Sequence, residues 1–169
     1  MPFLEIVGFT STWKNYTVAG AFLSSETEKN YSWAVDQLRQ LCGIAEVNPT
    51  CIVTDREKAL MNPLDCMFPS AMHILCRRHI QKNIEARAKL LLRDKKQATL
   101  FTNACLGLFS QTTIHGYESE LQRLTTTWRQ RPELLEYLRS QWLDPYKTRI
   151  VSAWVDTVLS FGCHTSNRF

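Results

Sequence analysis

The stretch that decides the fold is TCIVTDREKALMN, residues 50–62. Its first five residues are β-branched or small and apolar, which favours a short buried strand. Asp55 follows that strand, and helical spacing begins at Arg56. Three interpretations of Asp55 stay open: it caps the next helix, it belongs to a solvated first turn together with Glu57, or it lies at the carboxyl edge of a sheet, where α/β folds bind ligands.

Bulk composition excludes few classes of protein. The 169 residues suit one domain or a domain with an appendage, and 44% hydrophobic residues allow a sizeable core. No stretch approaches the roughly 20 apolar residues of a membrane helix, and the N-terminus lacks the features of a signal peptide. We therefore expect an intracellular protein without a membrane partner, with six reduced cysteines at positions 42, 51, 66, 76, 105 and 163. The net charge of +4 permits a nucleic-acid partner.

The chain before residue 94 alternates between strand-like and helix-like segments. We predict strands at residues 2–9, 16–23, 50–54 and 72–76. Helical spacing predicts helices at residues 24–43, 56–68 and 79–93. A short polar turn joins the first two strands into an antiparallel hairpin, and Pro63 should kink or restart the second helix. The order β-β-α-β-α-β-α predicts an α/β fold, a mixed sheet with helices on its faces.

The chain from residue 94 onward has helix patterns and no good strand. Leu121, Leu124 and Trp128 keep helical spacing. Pro132 begins a further helix, which Pro145 is expected to end, and residues 150–159 predict a last helix. This half reads as an all-helical region. The tryptophans at positions 13, 33, 128, 142 and 154 are interpreted as core residues.

Several stretches of the sequence resemble one family when they are read together. In order they are MPFLEIVGFTST, FLSSETEKNYSWAVDQL, CIVTDREKALMN, FPSAMHILCRRHIQKN and FGCHTSNR. They resemble the Mutator-like-element (MULE) transposase domain of eukaryotic DNA transposons. The resemblance runs from Met1 to about Asn83 and returns in the final stretch. Its most specific parts are the Val-Thr-Asp-Arg-Glu run and the Cys-x-x-His pair, Cys76 and His79.

This resemblance implies a ribonuclease-H-like fold and a DDE catalytic triad, with Asp55 as the middle acid and a metal ligand. Family enzymes cut DNA with water and then use the freed 3′-hydroxyl to attack target DNA. Two Mg²⁺ ions, which prefer carboxylate oxygens, activate the nucleophile and stabilise the leaving oxygen. The resemblance further implies transposon DNA as the partner, a nuclear place of action and a homo-oligomer in the intact enzyme.

Two acids of the family triad have no counterpart in this chain. The first lies on a strand before the segment that matches MPFLEIVG, and the last follows the segment that matches residues 164–168. We therefore expect a fragment truncated at both ends and inactive alone, because one acid cannot hold two ions. Residues 1–93 are expected to be a partial ribonuclease-H-like core, and residues 94–160 a helical insertion. Residues 161–169 are expected to begin the segment that leads to the final Glu. Without the first strand, the sheet should close over a gap or split, which exposes strand edges.

A cluster of potential zinc ligands follows the pattern Cys-x6-His-x2-Cys-x2-His, at Cys66, His73, Cys76 and His79. Four such side chains could bind zinc tetrahedrally. Strand alternation does not turn His73 toward Cys76, so convergence is doubtful and zinc is not expected. Since no acyl-transfer constellation accompanies them, Cys76 and His79 are interpreted as site-supporting residues.

The predicted helix after the fourth strand is basic. Its cations are Arg77, Arg78, Lys82, Arg87 and Lys89, and Arg93, Lys95 and Lys96 extend the run. Contact with the phosphate backbone of transposon DNA would be independent of sequence and sensitive to salt, whereas a solvated helix face would have no partner. An alternative function also stays open, a domesticated relative that acts as a DNA-binding or interaction module without catalysis.

Overall fold

The computed structural model describes residues 1–10, 12 and 14–156. Two compact units divide the chain, the first of Met1–Ile52 with Arg56–Ala71, and the second of Val53–Asp55 with the chain from Met72 onward. Trp13, Cys163 and the predicted segment 161–169 lie outside the described residues, as does the end of the predicted helix 150–159.

The first unit begins with the predicted antiparallel hairpin, formed by β1 (Phe3–Phe9) and β2 (Asn15–Phe22). The register shifts between Ile6 and Val7, whose partners are Ala19 and Thr17, so Val18 is the extra residue of a β-bulge. One face packs on a small core of Leu23, Tyr31 and Ala34, which Leu4 and Ala21 join from the strands. The Phe3 and Phe22 rings lie on the exposed part of the hairpin, 4.8 Å apart.

Two helices complete the first unit, α1 (Glu28–Ile44) and α2 (Lys58–Met67). They pack on each other around Val35, Leu64 and Phe68, because both helices are apolar on one face. Helix α2 runs through Pro63 without the predicted restart. The N-cap residue of α1 is Thr27, whose side chain makes no capping hydrogen bond. Ser24 and Ser25, further upstream, accept hydrogen bonds from the Asn30 side chain.

Strands β3 (Cys51–Thr54) and β4 (Met72–Leu75) pair in a second two-stranded sheet. The described residues therefore form two small sheets, and the prediction of one mixed sheet is wrong. Splitting was one of the two outcomes expected for a sheet that lacks its first strand. The α/β class is confirmed, while the partial ribonuclease-H-like arrangement stays a prediction.

Helices make up the rest of the second unit as far as residue 156. They are α3 (Arg77–Leu92), α4 (Lys95–Phe109), α5 (Ile114–Thr127), α6 (Pro132–Leu138), α7 (Asp144–Ile150) and α8 (Ser152–Val155). Helix α3 packs against α4 and α6. The Phe101 and Trp128 rings meet edge to face at 5.0 Å, and Trp142 is fully buried.

Pro145 does not end the helix that Pro132 begins, so that prediction is wrong. A π-helical turn, Arg139–Leu143, joins α6 to α7, and the Asp144 N–H bonds the Arg139 carbonyl five residues back. Pro145 then lies in the first turn of α7, where its missing N–H is tolerated. The wider π-helical turn accommodates Pro145, and the chain continues as helix α7 to Ile150.

The compact units are divided differently from the expected segments 1–93 and 94–160, because β4 and α3 belong to the second unit. The segment boundaries themselves stay a prediction.

Trp33 is 57% exposed, so it is not the core residue that was predicted, whereas Trp142 is a core residue. Within the described ranges, no helix is long and apolar enough to span a bilayer.

Candidate functional site

Asp55 follows the last residue of β3 and is exposed. Its carboxylate makes no hydrogen bond or ion pair with any described residue. The N-cap of α2 is Glu57, whose Oε1 accepts the Ala59 N–H at 3.1 Å. The interpretation of Asp55 as a helix cap is therefore wrong, because α2 begins at Lys58, too late for Asp55 to cap it.

A backbone hydrogen bond ties the end of β3 to the residue that follows β4. The Cys76 N–H donates to the Thr54 carbonyl at 2.7 Å. Asp55 and Cys76 each come directly after a strand, so they lie at the same end of this small sheet. Cys76 is fully buried and is the N-cap residue of α3, although its side chain makes no capping hydrogen bond. This end of the sheet therefore joins Asp55 to the start of the basic helix.

The four potential zinc ligands lie on or beside three elements, α2, β4 and α3. Cys66 is an exposed thiol on α2, whereas His73 is half-buried on β4 and His79 is half-buried in the first turn of α3. The Nδ1 atom of His79 is buried without a hydrogen-bond partner. In the part of the chain that the structure describes, no group of three or more His, Cys, Asp or Glu could hold a metal ion. These residues fit neither a zinc site nor a complete site for two Mg²⁺ ions.

Arg77 has a structural role that the sequence interpretation missed. Its Nη2 atom donates to the Phe109 carbonyl at 2.9 Å, to the Ile150 carbonyl at 3.3 Å and to the Ser152 hydroxyl at 2.7 Å. Burial lowers the pKa of Arg77 below its usual range, and the negative charge of Asp156 opposes that shift. The guanidinium is thus directed toward the ends of α4 and α7.

The sequence did contain a signal for this role. Arg77 precedes Ile80, Ile84 and Ala88 by three, seven and eleven residues. Those three residues are the buried face of α3, and this spacing places Arg77 on the same face. A cation on a buried face needs internal partners, so Arg77 is the least suitable of the predicted DNA contacts.

The other predicted contacts occupy two different sides of α3. Arg78 and Lys82 are exposed. Lys89 is also exposed and forms an ion pair with Glu85 at 2.6 Å. Arg87 lies over the Tyr137 ring, with its guanidinium carbon 5.6 Å from the ring centre.

Comparison with known protein families gives a match to the first part of the chain. Residues 1–83 match the family model of the MULE transposase domain. This match covers just under half of the chain, and it confirms the resemblance to that family over these residues. The match contains Asp55, Cys76, His79 and the first part of the basic helix.

A curated protein of Chaetomium globosum, the PKS-NRPS hybrid synthetase cheA, is also similar to this chain. It is 30% identical over 92 residues, which are 53% of this chain and 2% of that protein. Because the chain spans so small a part of its relative, the synthetase activity in that name is not assigned to this chain.

Proposed function

We propose that this chain is part of the catalytic domain of a DDE-type DNA transposase, in which Asp55 is a catalytic acid and metal ligand. One observation carries the proposal. Asp55 belongs to the Val-Thr-Asp-Arg-Glu run of the MULE match, and its exposed carboxylate is unengaged at the end of β3. The neighbouring Glu57 performs the capping that would otherwise explain an acid here.

Asp55 suits this role because a strand end holds a carboxylate on a rigid element. In the proposed reaction, Asp55 would help to hold Mg²⁺, which would activate the nucleophile and stabilise the leaving oxygen. Two such ions need carboxylates from several elements. The described residues offer no such group. We therefore expect the 169 residues alone not to cleave DNA.

The test uses the product of the complete reading frame that contains this chain. Mg²⁺-dependent nicking of supercoiled plasmid is expected, and Asp55→Asn should abolish it. Asp36→Asn is a matched control, because Asp36 is a surface carboxylate whose ion pair with Arg39 on α1 is local. Equal loss of nicking in both variants, or no loss in Asp55→Asn, would refute the assigned role of Asp55.

The second candidate is a domesticated DNA-binding or interaction module without catalysis. It is favoured by the absence, among residues 1–10, 12 and 14–156, of any group able to hold a metal. For this candidate, the chain should melt cooperatively and bind DNA with strong salt dependence. The complete product should then show no nicking at any Mg²⁺ concentration.

The proposal of transposon DNA as the partner leads to two further proposals, on the location and on the oligomeric state of the protein. A transposase acts where its DNA is, so the protein should be nuclear, which a fluorescent fusion in cells would test. We also propose that the intact enzyme is a homo-oligomer. Light scattering of the complete product with and without DNA would measure its stoichiometry.

A further inference from the structure

Helix α3 has a buried side and a basic side. Ile80, Ile84 and Ala88 are the buried side. Arg78, Lys82 and Lys89 are four and seven residues apart, so they line up on one face, and all three are exposed. Arg93, the exposed C-cap residue of α3, has a left-handed backbone conformation and adds a fourth cation just past the end of the helix. We call Arg78, Lys82, Lys89 and Arg93 the basic stripe.

The length and composition of the basic stripe suit duplex DNA. Eleven residues separate Arg78 from Lys89, which is about 16 Å along a helix and roughly the length of five base pairs. No Phe, Tyr or Trp lies among the members of the stripe or between them. Stacking platforms for single-stranded bases are therefore lacking on this face, and the charges alone are available to phosphates.

The first turn of α3 adds to the attraction for anions. That turn contains no acidic residue, and no side chain caps it. The positive end of the helix dipole and the Arg78 guanidinium thus act on a phosphate in the same direction. Arg78 also lies where a cation is unfavourable for the helix itself, and a bound phosphate would relieve that repulsion.

Glu85 is the one acidic residue in the sequence between the members of the basic stripe. Its Oε1 lies 2.6 Å from the Lys89 Nζ, and the two side chains remain partly exposed, at 33% and 47%. An exposed pair of this kind is weak, so a phosphate can compete for Lys89. The carboxylate also repels a phosphate on the same face, and Glu85 therefore opposes binding in both ways.

We propose that the basic stripe is a docking surface for the sugar-phosphate backbone of double-stranded DNA, and that Glu85 weakens this contact by holding Lys89. This inference rests on the proposed function, which supplies DNA as the partner. It assigns no DNA contact to Arg77, which is bonded to Phe109, Ile150 and Ser152, or to Arg87, which packs on Tyr137.

The experiment measures binding of the full 169-residue chain to a fluorescent 20-base-pair duplex of mixed sequence between 50 and 200 mM salt. With four phosphate contacts, affinity should fall about 150-fold over this range, and Lys82→Gln should reduce the fall to about 40-fold. Arg78→Gln should act in the same way. Glu85→Gln should bind about 2- to 5-fold more tightly at low salt. Arg87→Gln is the matched control on the same helix and should keep the original salt dependence.

The outcomes separate this inference from the proposed function. If the chain binds the duplex but Arg78→Gln and Lys82→Gln behave like Arg87→Gln, the stripe is not the docking surface, and DNA as the partner stands. If the chain does not bind the duplex at all, the docking surface is refuted, and nicking by the complete product still decides the proposed function. Tighter binding to one strand of the same sequence than to the duplex would overturn the choice of double-stranded DNA. Thermal melts of each variant establish that these surface changes leave the fold intact.

Discussion

The guanidinium of Arg77 donates a 2.7 Å hydrogen bond to the hydroxyl of Ser152, 75 residues further along the chain. The same nitrogen contacts the carbonyls of Phe109 and Ile150, the last residues of α4 and α7. Carbonyl groups at a helix end carry partial negative charge. A cation at the start of α3 therefore stabilises the ends of two other helices, and it fixes the segment directly after Cys76.

Arg77→Met should destabilise the second unit. The variant leaves several acceptors without their charged donor, and we expect the free energy of unfolding to fall by about 2–4 kcal/mol. Urea unfolding followed by circular dichroism measures the change. Arg87→Met, which loses a surface contact with Tyr137, should cost about 1 kcal/mol or less. Equal costs for the two variants would contradict the role assigned to Arg77.

Glu57→Ala should be more harmful to stability than Asp55→Ala. Glu57 accepts the Ala59 N–H at the start of α2, and loss of a cap costs about 0.5–2 kcal/mol. Asp55 makes no such bond, so its replacement should change stability by about 0.5 kcal/mol or less. Thermal unfolding of the two single variants compares them directly. A larger loss in Asp55→Ala would restore the capping interpretation.

Alkaline pH should destabilise the protein through Cys105. Burial raises the pKa of the Cys105 thiol well above its usual value. The unfolded chain releases this proton above about pH 8.5, whereas the native state keeps it, so stability falls as pH rises, by up to about 1.4 kcal/mol per pH unit. Urea unfolding at intervals from pH 8 to 10 should show this slope. Cys105→Ala should remove it in that range, and an unchanged slope would show that another group is responsible.

Two tryptophans should respond differently to truncation. Trp142 is fully buried, so Trp142→Ala should cost about 3–5 kcal/mol. Trp33 is 57% exposed on α1, so Trp33→Ala should cost about 1 kcal/mol or less. Denaturant melts of both variants give the comparison. A large loss for Trp33→Ala would contradict its exposed position in the structure.

Local pattern was sufficient to predict most of the elements. The hairpin, β3, β4 and α3 follow from alternation and helical spacing, because each depends on a few neighbouring residues. The position of Asp55 at the end of β3 followed from the same pattern. Capping by Glu57 was not predicted, because Glu is an unusual N-cap residue and Asp is a favoured one.

Features that depend on distant residues could not be read from local pattern. The division into two sheets depends on which strand edges meet, and strand spacing does not contain that information. Pro145 was expected to end a helix because a π-helical turn has no simple sequence signature. The partners of Arg77 are 32 to 75 residues away, although its place on the buried face of α3 was visible in the spacing.

We propose that Asp55 is one catalytic acid of a DNA transposase, and residues 1–10, 12 and 14–156 contain no group that would complete a metal site. The most direct measurement is Mg²⁺-dependent nicking of supercoiled plasmid by the purified 169-residue chain. We predict no nicking above background, and no difference between the chain and its Asp55→Asn variant. Mg²⁺-dependent nicking that Asp55→Asn abolishes would contradict the account, because the chain would then assemble a working metal site by itself.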